Sequence, residues 1–374
     1  MGGQVPSMHL VINATEVGRQ RGGNESYVAG LVEGLDELGP PAQVTLLTCD
    51  WNGPPPLPPP FRQVNLGRYR RLPFFLWQQA VALRQLEADW YVSTFFLPPV
   101  TPCRGAVLVH DLSFRAHPEY FPPVVALYMR FLTGLAVRRA DRVVVLSGFT
   151  LRELARFHPP AVEKAVVVYP GVDRVFRPQA GPGDEETLRA YGVAPGYVLA
   201  VGNIHPRKNL ARLLDAYLSL KATRKSVPPM VWAGLRRWES GELARRARSA
   251  GVVLPGFIAP EDLPAFYRQA GMLVYPSLYE GFGLPPVEAM ACGTPVIASN
   301  TTGLPEAVGE AALTVDPANT GELATAMAQL LDDASLRQRL RRAGIERAGE
   351  LTWTRTAQRL LAALDSDLTG FDEA

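Results

Sequence analysis

Two series of short apolar runs, each alternating with helical patterns, constrain this chain most. The runs 9–13, 44–48, 106–109, 143–146 and 165–169 alternate with the periodic stretches 25–38, 74–88 and 124–139. Runs this apolar suit strands buried on both faces, and strand–helix alternation gives a parallel sheet with helical crossovers. A second series follows at 197–201, 229–233, 252–254, 273–275 and 296–298. The second half therefore repeats the α/β architecture, and a chain of 374 residues exceeds one core of usual size. Between the halves, Arg177-Pro-Gln-Ala-Gly-Pro-Gly-Asp184 has the composition of a linker, which puts the boundary near 172–195. Two doubly wound domains whose strand ends face a cleft are expected, with ligands at those ends.

Composition excludes several classes. A formal charge of +2 gives no case for nucleic acid, and no run of about 18 apolar residues marks a membrane span. Cys49, Cys103 and Cys292 are odd in number and lack paired spacing or a histidine cluster, so neither a disulfide framework nor structural zinc is expected. Met1 to Ser7 carry neither a basic region nor an apolar one, which predicts no export signal and a cytoplasmic protein.

The densest chemistry lies in Leu278-Tyr-Glu-Gly-Phe-Gly-Leu-Pro-Pro-Val-Glu-Ala-Met-Ala-Cys-Gly-Thr-Pro-Val-Ile-Ala-Ser299. Apolar runs 272–275 and 295–298 flank it as buried strands. Pro285 and Pro286 fit only the first turn of a helix, and Gly293 fits its C-terminal cap, so the helix has about two turns. The loop 279–284 meets its N-terminus. There the first-turn amides, with those of Gly281, Phe282 and Gly283, are expected to point at a phosphate or sugar hydroxyls. Glu280 would accept from sugar hydroxyls, and Glu288, one turn into the helix, from a diol such as a ribose. The spacing alone also suits an ordinary strand-loop-helix with solvated glutamates.

A second cluster follows the run 197–201: Gly202-Asn-Ile-His-Pro-Arg-Lys-Asn209, then a helix carrying Leu210, Leu213, Leu214 and Tyr217. Arg207 and Lys208 at a helix start oppose its dipole, a placement that suits an anion lying between them and the amides. As a pair they also fit a solvated surface.

Together the two clusters resemble the Glu-x7-Glu and Pro-Arg-Lys-Asn patterns of retaining family-four glycosyltransferases of the GT-B fold (group 1 glycosyltransferases), with wording closest to mannosyltransferase-like members. The resemblance spans nearly the whole chain. It is strongest over 197–312, Gly303-Leu-Pro-Glu306 included, and weaker before 106. It implies two Rossmann-like domains facing a central cleft. These are an acceptor-side domain over 1–175 and a nucleotide-sugar domain over 190–353, with a terminal segment 354–374 whose helix 354–370 crosses back.

Residue by residue, the resemblance makes Arg207 and Lys208 the stabilisers of a diphosphate leaving group, in the place a metal ion holds in other transferases. Many relatives carry an arginine where Asn203 stands. Gly202, Gly281, Phe282, Gly283, Leu284 and Glu288 belong to the donor site. Leu254-Pro-Gly-Phe-Ile258 resembles the base-binding loop, with Phe257 and Ile258 near the nucleobase, although both side chains also suit a hydrophobic strand exit. Gly22 and Gly23 resemble the amino-terminal glycine loop near donor phosphate and acceptor, and equally a plain turn. His110, after the run 106–109, becomes a donor-sugar contact and member of a proton network, with Asp111 positioning loop and acceptor. Ser147 resembles the family's Ser-x-Phe turn on the acceptor side, and its position also fits a helix cap.

Three further segments have two readings each. Pro54-Pro-Pro-Leu-Pro-Pro-Pro60 suits a stiff loop better than a polyproline ligand. Arg68-Tyr-Arg-Arg-Leu-Pro-Phe-Phe-Leu-Trp77 suits contact with anionic lipid, or a buried aromatic face with an arginine rim. Asp365-Ser-Asp367 resembles a metal-binding Asp-x-Asp but falls in a helical tail, so a surface position is expected.

The implied reaction moves a hexosyl group, foremost mannosyl from GDP-mannose, to a hydroxyl of a glycan or lipid-linked acceptor. It proceeds with retention and without cofactor or metal. A nucleotide-sugar epimerase and a silent sugar-nucleotide sensor are the competing readings. A dehydrogenase is disfavoured because Gly18 and Gly22-Gly23 do not make a Gly-x-Gly-x-x-Gly turn.

Overall fold

The apolar runs form two parallel sheets. The computed structural model describes residues 8–17, 23–39, 43–50, 61–181, 183–234 and 241–364. Gly18, Gly22, the proline run 54–60, Asp365 to Asp367 and the first seven residues lie outside them. The chain divides into two compact units, Met1–Gly171 with Thr352–Ala374, and Val172–Leu351.

The first unit holds β1 (His9–Asn13), β2 (Gln43–Thr48), β3 (Phe61–Asn65), β4 (Trp90–Thr94), β5 (Arg104–Val109), β6 (Arg142–Val145) and β7 (Ala165–Val167). Their order is β3-β2-β1-β4-β5-β6-β7, with every pair parallel. The strands are added outward from β1 on both sides, so the order reverses between β1 and β4.

The second unit holds β8 (Tyr197–Val201), β9 (Met230–Ala233), β10 (Val253–Gly256), β11 (Ala270–Tyr275), β12 (Val296–Ser299) and β13 (Leu313–Val315). Their order is β10-β9-β8-β11-β12-β13, again parallel throughout. Here the reversal falls between β8 and β11. Leu199 sits in register between Val231 and Leu273, fully buried, and such a side chain contributes about 2 kcal/mol to the fold. Leu213, Leu214 and Tyr217 of the helix Leu210–Thr223 cover this sheet as their spacing predicts.

The helix expected over 74–88 is broken differently. An α-helical turn Arg71–Pro73 leads into a π-helical turn Phe74–Gln78 and then Gln79–Gln85. The wide turn lets the buried Gln79 amide donate to Phe74 O at 3.1 Å and its oxygen accept from Tyr91.

The helix Trp353–Leu364 packs on Gly23–Leu38 within the first unit. Its indole lies so close that a Cβ at Gly30 would stand 2.0 Å from Trp353 Cε2, and one at Gly34 would stand 2.1 Å from Trp353 O. Glycine at both positions is what allows this contact. Among the described residues no helix is long and apolar enough to cross a membrane.

Candidate functional site

In an open parallel sheet the crevice at the carboxyl ends of the strands flanking the reversal is where ligands collect. In the second unit those strands are β8 and β11, and the two charged clusters sit just beyond them.

The chain leaves β8 through Gly202, whose φ of +125° suits glycine. Its N–H donates to Ala233 O at 2.8 Å. Gly234 backs onto it, and a Cβ there would lie 2.1 Å from Gly202 O. A short 3₁₀ turn, Pro206–Lys208, then presents the cations. Asn209 follows in the left-handed region at φ +58° and precedes the helix Leu210–Thr223. The cations thus stand at the entry of this helix, in a separate turn just before it. Asn209 fixes that turn: its buried Nδ2 donates to Pro276 O at 3.1 Å and Pro317 O at 2.7 Å. Leu278 N–H donates to Arg207 O at 2.7 Å, joining the β8 turn to the loop after β11.

The anion that meets these cations is Glu280. Arg207 Nη1 lies 2.7 Å from Glu280 Oε2, and Lys208 Nζ lies 2.6 Å from Oε1. The Tyr275 hydroxyl donates to Oε1 at 3.1 Å and also meets Lys208. Arg207 Nη1 donates to Tyr279 O at 3.1 Å as well. Burial alone would raise the Glu280 pKa, but the charges and hydrogen bonds of Arg207 and Lys208 outweigh it and hold it down at about 2. Its backbone is equally constrained: Glu280 N–H donates to Thr302 Oγ1 at 3.2 Å, and Gly303 N–H donates to Glu280 O at 3.0 Å. A Cβ at Gly303 would come within 2.2 Å of Gly281 O.

The loop Gly281, Phe282, Gly283 is buried and leads into the helix Leu284–Ala291, with both prolines in its first turn. Gly293 caps it at φ +77°. Glu288 is partly buried on this helix and is not simply solvated, because Oε2 accepts from the Tyr267 hydroxyl at 2.8 Å. Burial, with the Asp173 charge added, pushes its pKa up to about 7 in spite of that bond. Phe257 is half-buried and Ile258 buried in the loop after β10.

The candidates of the first unit form their own group. His110 follows β5 and packs at a tilt against Tyr27 and Phe95, with centroid distances of 5.1 and 5.5 Å. Tyr27 in turn meets Trp353 edge-on at 5.4 Å. His110 Nε2 is buried with no hydrogen-bond partner among the described residues, and burial lowers its pKa to about 4 against the pull of Asp111. Asp111 Oδ1 accepts from Ser113 N at 2.9 Å and from Ser113 Oγ at 2.6 Å. Ser147 caps the helix Gly148–Phe157, accepting from Thr150 N at 3.0 Å. Gly23 begins the helix Gly23–Leu38, while Gly22 lies outside the described residues.

Sequence reasoning did not single out Tyr275, Tyr267, Asn209 or Thr302. Tyr275 and Tyr267 were hidden in apolar patterns, where a buried tyrosine looks like any core residue. Asn209 did carry a signal, as the last residue of Pro-Arg-Lys-Asn.

Comparison with known proteins identifies the family and the fold of the chain. The model for "Glycosyl transferases group 1" matches residues 190–347, and that for "Glycosyltransferase Family 4" matches 21–176. The O-antigen chain mannosyltransferase B of Escherichia coli is 34% identical over 281 residues, covering 74% of each chain. The serotype-specific mannosyltransferase WbdA of Escherichia coli is 28% identical, over 68% of this chain and 32% of that protein, so the chain spans about a third of its length. Among solved structures, sucrose-phosphate synthase from Thermosynechococcus elongatus superposes with a TM-score of 0.76 at 22% identity, covering 94% of this chain and 97% of that one. The chain therefore belongs to the group 1, family-four glycosyltransferases, with their GT-B fold of two Rossmann-like units.

Proposed function

We propose that this glycosyltransferase moves a mannosyl group from GDP-mannose to a hydroxyl of a glycan or lipid-linked acceptor, with retention at the anomeric carbon and without a metal. The observation that carries the reading is the pairing of Arg207 and Lys208 with Glu280 beyond β8 and β11. Two cations gathered over the reversal of a parallel sheet, beside glycine loops, suit a diphosphate. The mannosyl assignment draws on the 34% identical relative, whose name gives that activity.

In this reading the bond from the anomeric carbon to the diphosphate oxygen breaks while the acceptor oxygen forms its bond on the same face. The acceptor proton passes to the departing phosphate oxygen, and Arg207 and Lys208 take up the developing charge. Glu280 holds both cations in place, and its carboxylate accepts from a sugar hydroxyl of the donor. A carboxylate so heavily paired is a poor nucleophile, which favours the route without a covalent intermediate. Glu288 and the loop amides bind the ribose and phosphates, Phe257 and Ile258 lie by the base, and Gly202 and Gly283 keep the backbone close. His110 contacts the donor sugar as a neutral imidazole, and Asp111 and Ser147 order the acceptor-side loops.

The test is incubation with GDP-, UDP- and ADP-sugars in the presence of EDTA, reading released nucleotide and sugar configuration by NMR. Slow release of α-mannose from GDP-mannose alone is expected. Epimerised donor would mark an epimerase, release that requires a divalent metal would contradict the mechanism, and no binding would mark a sensor.

A further inference from the structure

The turn between β12 and the helix Leu304–Val308 carries two features that a turn kept for stability alone would shed. Thr302 sits in the left-handed region at φ +63°. Among the described residues Asp50, Glu87, Phe95 and Asn209 also stand there without being glycine, and Thr302 alone of them is β-branched. A Cβ in that region crowds the carbonyl that follows it, and a branched residue persists there only where its surroundings over-determine it. Beside it, Thr301 Oγ1 is buried with no hydrogen-bond partner among the described residues, which is a second unfavourable term. Glycine would be unstrained at 302, and the chain does place one at the next position, Gly303.

The Thr302 hydroxyl shows what this conformation secures. Its proton goes to Thr301 O at 2.7 Å, and its oxygen accepts the Glu280 N–H at 3.2 Å. A hydroxyl has one proton, so with that proton committed to Thr301 only lone pairs face the Glu280 amide. On the other side of the same residue, Glu280 O accepts from Gly303 N at 3.0 Å. Residues 302 and 303 thus grip both peptide groups that flank the Glu280 Cα. Strand β12 pairs with β11, Ala298 against Tyr275, and this brings the turn beside the loop that bears Glu280. With both flanking peptides held, only side-chain rotation remains to the carboxylate, and that freedom is spent on Arg207 and Lys208.

We propose that Thr302 is a positioning residue for the transfer: its hydroxyl fixes the Glu280 backbone so that the carboxylate stays between Arg207 and Lys208, and the strained φ is retained for that purpose. The proposal rests on the reading of Glu280, Arg207 and Lys208 as the donor site, and it adds a requirement for a hydroxyl at position 302. Thr302 acts through Glu280 and not on the substrate itself.

The experiment compares Thr302→Ser, Thr302→Ala and Thr302→Gly in the full chain with two readouts. One is exchange of the Glu280 amide without ligand, followed by NMR on protein labelled with nitrogen-15 glutamate. The other is nucleotide release from whichever GDP-, UDP- or ADP-sugar the parent cleaves best. Thr302→Ala and Thr302→Gly should each speed exchange of the Glu280 amide about tenfold and lower kcat about 10–100-fold with little change in KM. Thr302→Ser keeps the hydroxyl and should restore both readouts nearly to the parent values. Thr302→Gly should melt above Thr302→Ala, since alanine alone keeps the left-handed strain. In a Glu280→Ala background, Thr302→Gly should lower kcat no further, because its route to the reaction is gone. A loss in Thr302→Gly with Thr302→Ala fully active would assign the effect to chain flexibility and overturn the role of the hydroxyl. An equal loss with and without Glu280 would overturn the route through that residue, and unchanged exchange of its amide would overturn the clamp. A parent that cleaves none of these donors would contradict the proposed function instead, and the exchange data would still decide the clamp.

Discussion

Replacing Glu280 by glutamine removes one charge and almost no volume from the centre of the candidate site. In the native protein its carboxyl is displaced from an ordinary pKa of 4.5 to about 2, which corresponds to about 3 kcal/mol favouring the charged form. The cost of breaking a buried ion pair gives a similar figure, about 3–5 kcal/mol, because Arg207 and Lys208 keep their burial and lose their anion. Since the folded pKa is depressed, this stabilisation is present above the unfolded value and is lost only as pH falls through about 2, so it acts in full at neutral pH. Glu280→Gln should therefore melt about 6–20 °C below the parent at neutral pH, given the size of the second unit, with faster hydrogen exchange along β11. A diphosphate supplies the missing negative charge, so GDP should raise the melting temperature of the variant more than that of the parent. Turnover should nevertheless fall by about 10²–10³. A variant that melts with the parent and responds equally to GDP would refute the reasoning, because Glu280 would then not be the counter-charge.

Three other outcomes follow from named contacts. Glu288 has a raised pKa, so its contribution to stability is complete below about pH 4.5 and is lost as pH rises through about 7, by at most about 3 kcal/mol. Glu288→Gln should remove that pH dependence, melting with the parent in acid and above it at pH about 8, and an unchanged slope would sink the assignment. Asn209→Ala should cost about 3 kcal/mol, since Pro276 and Pro317 carbonyls lose a buried donor and alanine is strained at φ +58°. Asn209→Gly should recover only the strain, which denaturant titration of the pair can resolve. Gly34→Ala drives a methyl onto Trp353 O, so about 1–3 kcal/mol of destabilisation and faster exchange over Trp353–Leu364 are expected.

Legibility followed burial. Strands β5 and β6 are buried through most of their length and read directly from Ala106 to Val109 and Val143 to Val145. Strand β3, Phe61-Arg-Gln-Val-Asn65, lies at a sheet edge with a half-exposed pattern, and β13 has three residues, so neither stands out as an apolar run. Strand β4 is missed for another reason: its Ser93 and Thr94 look polar, yet Ser93 is buried and accepts from Asn13 Nδ2 at 3.0 Å. The π-helical turn at Phe74–Gln78 is set by Gln79 and Tyr91, a long-range contact that periodicity cannot register. At the site, the glycines and prolines around Glu280 and Glu288 encode their loop and helix locally. That Glu280 meets Arg207 and Lys208 depends on β8 and β11 being neighbours, which is a property of strand order.

The central claim is that Arg207 and Lys208 hold a diphosphate. Calorimetric titration of guanosine, GMP and GDP into the parent and Arg207→Ala tests it most directly. Each added phosphate should strengthen binding in the parent, and the GDP advantage over GMP should shrink by at least about tenfold, or 1.4 kcal/mol, in the variant. Equal loss of affinity for guanosine, GMP and GDP, or a GDP advantage that survives the substitution, would contradict it.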